Sequence, residues 1–244
     1  MTARCSDVIS ATRRTIEREL RALRAESMPP LSVCDIGCWD GEPTAFYRGI
    51  LGGPAAGVEV FAEQAAMARG RGVDVAEIDL ERERFPWGDG SFDVVIANQV
   101  FEHLKNVWLP MSEIARVLRP GGHLIFSVPN LASLHNRVML AFGWQPSSIR
   151  TFGPHVRSFT YRQALEFLTY AGCFRTRRTR GVGFYPLPVN LAGPLAQLWK
   201  GASHTPVFVA VREAADASAW LRWEDDRSRE LQTFYTAGPV TSRS

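Results

Sequence analysis

Apolar runs of strand length alternate with stretches of helical period over the first half of the chain, and the early runs close on acids. Leu31 to Ile36 reads as a strand with Asp35 near its end, followed by the turn Gly37-Cys38-Trp39-Asp40-Gly41. A second strand is predicted near Ala56 to Val60, with Glu59, and a third over Val73 to Ile78, just before Asp79. Phe92 to Ala97 is a continuous apolar run of the kind buried on both faces of a parallel sheet, and His123 to Val128 is a fifth strand. Helices are predicted from Ser6 or Asp7 to about Arg24, from Pro43 to about Leu51, over Ala62 to Arg69, and over Trp108 to Leu118. Pro43 suits a first helical turn, and Pro120-Gly121-Gly122 stops the last of these helices. Such alternation implies an α/β sandwich around a parallel sheet.

Beyond Pro129 the rhythm changes. Residues 130 to 160 carry Phe142-Gly-Trp144, Pro146, Phe152-Gly-Pro154-His155 and Phe159, too irregular for another repeat of the core. Thr160 caps a helix to about Ala171, and strands follow near Phe174 to Val182 and Pro206 to Arg212. Phe184 to Ala202 is apolar, interrupted by Pro186, Pro188 and Pro194, and carries Trp199. The expected division is an N-terminal helix over 1–30, a main domain over 31–213 with insertions near 130–160 and 184–204, and a tail over 214–244 with a loose helix and a frayed end.

Composition changes this picture little. The chain has 244 residues, 45% hydrophobic and 22% charged, with a net charge of +3, ordinary values for a soluble enzyme of one main domain. Arg175, Arg177, Arg178 and Arg180 cluster, but read as a solvated strand face, so a nucleic-acid partner is disfavoured. Cys5, Cys34, Cys38 and Cys173 lack the paired spacing of a zinc site. No apolar run reaches a membrane span and the N-terminus has no signal-peptide pattern, so a cytoplasmic protein without a membrane partner is expected. The oligomeric state stays open, a homodimer included.

Three acids at successive strand ends, beside a glycine turn, describe a nucleoside pocket along one edge of a parallel sheet. Gly37 and Gly41 let the backbone turn sharply and approach a ligand. Asp35 accepts from a ligand ammonium or from the turn's own amides. Glu59 offers two acceptor oxygens to the hydroxyls of a ribose, and Asp79 accepts from the amine of adenine while Leu80 packs on the ring. The competing reading is a set of turn-capping acids. A dinucleotide site is weaker, because no G-x-G-x-x-G is present.

Asp35-Ile-Gly-Cys-Trp-Asp-Gly41, Gly57-Val-Glu59, Asp79-Leu80, Phe92-Asp-Val-Val-Ile96, Glu102-His103-Leu104 and Arg116-Val-Leu-Arg-Pro-Gly-Gly122 together resemble class I S-adenosylmethionine-dependent methyltransferases, densely over about residues 31 to 128. The resemblance implies a three-layer Rossmann-like sandwich with a mostly parallel seven-stranded sheet, an antiparallel last strand and a substrate lid built from the two insertions. It also implies S-adenosyl-L-methionine as cofactor, held by Asp35, Gly37, Cys38, Gly41, Glu59, Val60, Asp79, Leu80 and Asn98, the last near the methionine portion. Trp39 departs from the family, which usually carries glycine there.

Methyl transfer from a sulfonium gains much from alignment, and needs a base when the acceptor enters as a hydroxyl. His103 and His155 are the candidate catalytic residues, each against a structural role as helix-start residue or lid anchor. In similar ubiquinone-biosynthesis O-methyltransferases a glutamate stands at the position of Gln99, and two glutamates with a histidine bind a divalent metal. Only Glu102 and His103 match here, so no metal is expected. Arg137 and Arg157 either hold an anionic substrate or tie the lid to the core. The expected function is O-methylation of a small molecule in a bacterial specialised-metabolite or glycan pathway. The alternative is an accessory protein: Gly57-Val-Glu59, Asp79-Leu-Glu81 and Arg137-Val-Met-Leu-Ala-Phe-Gly143 also resemble the methionine-biosynthesis proteins that keep this fold and bind an acyltransferase. Methylation of a macromolecule is disfavoured by the mild charge.

Overall fold

The computed structural model describes residues 3–28, 30–187 and 189–222. Seven strands form one sheet: β1 (Leu31–Ile36), β2 (Gly52–Val58), β3 (Asp74–Ala76), β4 (Phe92–Asn98), β5 (Leu118–Ser127), β6 (Phe174–Val182) and β7 (Thr205–Arg212). Their order is β3-β2-β1-β4-β5-β7-β6. The first five pair in parallel, whereas β7 runs antiparallel to both β5 and β6. This is the Rossmann-like methyltransferase arrangement, with the antiparallel strand inserted before the edge.

Side-chain alternation divides the core between two helical layers. Val33, Val94, Ile96, Ile125 and Val207 face α1 (Ala3–Ala25) and α2 (Glu42–Leu51) through Ile16, Leu20, Leu23, Tyr47 and Leu51. Cys34, Ile36, Val95, Leu124, Phe126 and Phe208 face α4 (Trp108–Val117) and α6 (Tyr161–Thr169) through Met111, Ile114, Ala164, Phe167 and Leu168. Period-two alternation in a strand puts neighbours on opposite faces, which is why the middle of β4, Val94 to Ala97, is apolar on both. Thr160 caps α6 as expected, its side chain accepting from Gln163 N. Small α3 (Ala62–Gly70) packs Ala65 and Ala68 on Cys38, Val73 and Val75.

Several boundaries differ from the sequence reading. Gly52, left-handed at φ 79°, caps α2, and the chain enters β2 at once, so the strand begins four residues early and stops at Val58. β3 is only Asp74–Ala76, an edge strand, which leaves Asp79 in a turn beyond it. Pro120-Gly121-Gly122 is a bulge inside β5, where pairing jumps from Phe92↔Leu118 to Val94↔His123.

The irregular stretches contain helices that the sequence reading did not predict, α5 (Leu134–Ala141) and α7 (Val189–Leu198). Phe184, Ala192, Ala196 and Ala202 form a small core, and α7 approaches β6 so closely that a Cβ on Gly181 would collide with the Ala196 carbonyl. The second insertion therefore packs partly on the sheet. Of the expected final helix, the structure shows a short turn over Ala217–Trp220 that buries Trp220 against α6; the remainder of the tail lies outside the described residues. Each arginine of the β6 cluster has an acidic partner: Arg178 and Arg180 both bind buried Glu19 of α1 at 2.8 Å, and Arg177 and Arg175 pair with Glu26 and Glu213. Arg178 and Arg180 dock α1, Arg177 reaches just beyond its end, and Arg175 ties β6 to the residue after β7.

Candidate active site

The carboxyl ends of β3, β2, β1 and β4 lie side by side in the sheet and carry the rim residues. Gly37, Trp39 and Gly41 all have positive φ, at 70°, 50° and 76°, so the loop after β1 alternates left-handed residues. A Cβ on Gly41 would sit 2.6 Å from the Ala68 Cβ, which lets α2 start directly against α3. Trp39 keeps the backbone that a glycine would adopt and turns its ring outward, 55% exposed and edge-on to Phe61 at 6.0 Å. A left-handed residue with a side chain costs roughly 1–2 kcal/mol. Trp39→Gly is therefore expected to be about 1 kcal/mol more stable than Trp39→Ala in chemical denaturation. The reverse order would contradict the left-handed loop.

Glu59 follows β2, buried to 6% exposure, and each carboxylate oxygen takes one backbone N–H: Oε2 from Trp39 and Oε1 from Phe61, both at 3.0 Å. Each oxygen keeps a further lone pair, so the group that shapes the loop can also accept a ribose diol. Val60 and Phe61 are more than half exposed beside it, and with Trp39 they make an apolar rim suited to a flat ring.

Asp35 does not open onto the rim in the same way. Thr44 of α2 donates to its Oδ2 at 2.6 Å, and burial pushes its pKa up to about 7, the Thr44 bond working against that shift. Cys38 is buried beneath the loop, and desolvation raises its thiol to about 12, so it is inert packing. Asp79 accepts from Glu81 N at 2.9 Å and pairs with Arg82 at 3.5 Å, a turn cap that remains 41% exposed; Leu80 packs against the core. Asn98 ends β4 with its Oδ1 accepting from Ser127 Oγ at 2.6 Å, which orients its amide N–H groups as donors.

The sequence reading missed Thr44, Ser127 and Gln99 as supports. Gln99 is left-handed at φ 58°, and nothing in a single sequence marks that. Position at a strand end was the available signal for Ser127.

After Gln99 the chain makes the turn Phe101–His103, which brings three residues together. The Glu102 carbonyl accepts from Val156 and Arg157 N–H at 2.9 and 3.1 Å, stitching residue 155 beside it. The rings of His103 and His155 meet edge to face at 4.9 Å. His103 Nδ1 lies 3.2 Å from the Pro154 carbonyl and His155 Nδ1 2.7 Å from that of Ser148. Partial desolvation holds the His103 pKa below its ordinary value despite the Pro154 bond. Arg137 and Arg157 are lid ties: the first reaches the Ala132 and Gly201 carbonyls and lies over Trp199, and the second reaches Lys105 O at 2.7 Å. Two clefts of about 290 and 420 Å³, beside Phe167 and beside Arg116, contain none of the rim residues, and the glycine-turn geometry is the better guide to the cofactor.

Comparison with known proteins agrees with this geometry. Residues 34–126 match a family described as a methyltransferase domain. The chain is 30% identical over 109 residues to the O-methyltransferase cnsE of Penicillium expansum, covering 42% of this chain and 39% of that protein. It is 36% identical over 109 residues to the bifunctional methionine biosynthesis protein MetXA/MetW of Rhodopirellula baltica, covering 41% of this chain and 17% of that one. It thus spans well under half the length of these two relatives. The crystal structure of the [4+2]-cyclase SpnF superposes with a TM-score of 0.58 at 21% identity, covering 81% of each chain, a likeness of fold. Residues 34–126 thus match a methyltransferase domain, and the strand order is that of the class I S-adenosylmethionine-dependent methyltransferase fold.

Proposed function

We propose that the protein transfers a methyl group from S-adenosylmethionine to an oxygen of a small molecule, in a bacterial specialised-metabolite or glycan pathway. The observation that carries this reading is the His103–His155 pair, one turn beyond β4 and beside the cofactor rim. When bound, the cofactor supplies an electrophilic methyl on a sulfonium. Glu59 and the loop amides hold its nucleoside, and Asn98 offers donors to its methionine end. The histidine pair would take the proton of an acceptor hydroxyl and hold its oxygen toward that methyl. A neutral imidazole suits that task, and partial desolvation lowers the His103 pKa from its ordinary value. The exposed apolar side chains of the first insertion, Phe142, Trp144 and Phe152, favour an acceptor with a hydrophobic face.

Incubation with radiolabelled S-adenosylmethionine and a panel of phenols, sugars and hydroxylated polyketides tests it. Labelled ether or ester product is expected, with kcat lowered at least 100-fold in His103→Gln and cofactor affinity little changed. Label on nitrogen or carbon acceptors alone would refute oxygen as the acceptor. A second reading, an accessory protein that binds an acyltransferase, is favoured by the matched stretch in the methionine-biosynthesis relative. Co-purification with such an enzyme, and no transfer to any acceptor, would support it instead.

A further inference from the structure

Glu102 is the one acid among the described residues whose two carboxylate oxygens are both buried without a hydrogen-bond partner. It is 1% exposed, and burying a carboxyl group unpaired is costly, so its retention calls for a function. The donor atoms of Glu102, His103 and His155 all lie within 4.8 Å of one another. Both imidazoles are arranged as metal ligands usually are. Each Nδ1 faces a backbone carbonyl, Pro154 for His103 and Ser148 for His155, and a donated N–H there leaves the lone pair on Nε2. This outer contact fixes tautomer and ring direction together.

We propose that Glu102, His103 and His155 form a site for a divalent transition ion of the zinc class. Two imidazoles and one carboxylate suit zinc, and such three-ligand sites leave a fourth position for water or substrate. Zinc ligands bonded at about 2.0–2.1 Å sit roughly 3.4 Å apart, so the side chains close by up to about 1.5 Å on binding. His103 is exposed and can make most of that movement. The site differs from the pattern of two glutamates and a histidine in the similar ubiquinone-biosynthesis enzymes. Gln99 is no ligand here, and the third donor comes from the insertion, 52 residues beyond His103 by number. The role of the ion, though not the site, rests on the proposed methyl transfer. An acceptor hydroxyl in the open position would lose its proton to solvent on coordination, with no change in oxidation state. With the ion bound, coordination would activate the acceptor; without it, His103 takes the proton as proposed above.

The test uses the full chain without an affinity tag, stripped with chelator and titrated with zinc alone by calorimetry. One zinc per chain is expected, with affinity at least 10-fold weaker in Glu102→Gln and in His155→Gln, and unchanged in His135→Ala. Glu102→Gln preserves shape, and circular dichroism with cofactor titration reports whether each variant is folded. Should Glu102→Gln fail to fold, the His155→Gln and His135→Ala pair decides. Stoichiometric binding lost in the cluster variants supports the site. No binding by the wild type, or binding that survives in His155→Gln, overturns it. Failure of cofactor binding would undo the proposed function and leave the zinc result standing, so the two readings fail separately.

Discussion

Glu59→Ala is expected to weaken S-adenosylmethionine binding about 100- to 1,000-fold in isothermal titration calorimetry. The effect originates in the Glu59 carboxylate. Its two oxygens each bond one backbone N–H at 3.0 Å, from Trp39 and Phe61, and each retains acceptor capacity toward the rim. Two hydrogen bonds from ribose hydroxyls to a charged group contribute about 1.5–3 kcal/mol each. Even the lower sum, about 3 kcal/mol, is more than a factor of 100. Alanine also frees the Trp39 and Phe61 amides, so the loop loses its brace as well as the ligand contact. Glu59→Gln separates the two effects. One oxygen becomes a donor that opposes an amide N–H, so an intermediate loss is expected. Affinity in Glu59→Ala equal to wild type would remove the ribose assignment altogether.

A second large effect is expected in the pH dependence of stability, and Asp35 is its source. Desolvation raises its folded pKa to about 7 from an ordinary 3.8, so the folded state holds the proton more tightly than the unfolded chain. Stability from this group is therefore fully present below about pH 4, falls as pH rises toward 7, and levels off above that. A shift of about three units corresponds to roughly 4 kcal/mol across the window. Asp35→Asn keeps an oxygen for the Thr44 hydroxyl and removes the titration, so its curve should be flatter by that amount. Urea denaturation of both proteins between pH 4 and 8 measures the difference. Parallel curves for the two proteins would mean that Asp35 is not desolvated. Burial of His204 acts in the opposite direction, since its pKa is lowered to about 4 and stability is lost as pH falls below the ordinary imidazole range. The comparison between wild type and Asp35→Asn cancels that contribution.

The order of elements, and the acids near the ends of β1 and β2, were legible because both follow from local pattern. β1, β4 and α4 came out close to their observed bounds, since a run buried on both faces is apolar throughout and an amphipathic helix repeats every 3.6 residues. The ends of β2 and β3 differ from expectation for another reason. Pairing, not composition, ends a strand: Glu59 N bonds Ala76 O, and the chain turns away immediately after. The helices α5 and α7 escaped notice because glycine, proline and aromatic residues blur their period, while packing on β6 supplies what propensity lacks.

Residue identity alone placed Glu59 beside the glycine turn, because a loop between adjacent strands offers few alternatives for a nearby acid. It also named His103 and His155 as the histidines to watch. That the two rings touch, that an orphaned carboxylate lies with them, and that Asp35 turns to Thr44 were decided only in three dimensions. The physical reason is separation along the chain. Contacts within a turn are set by neighbouring dihedral angles, whereas Glu102 meets His155 only after the sheet has brought β4 beside the insertion and two backbone amides have closed on one carbonyl.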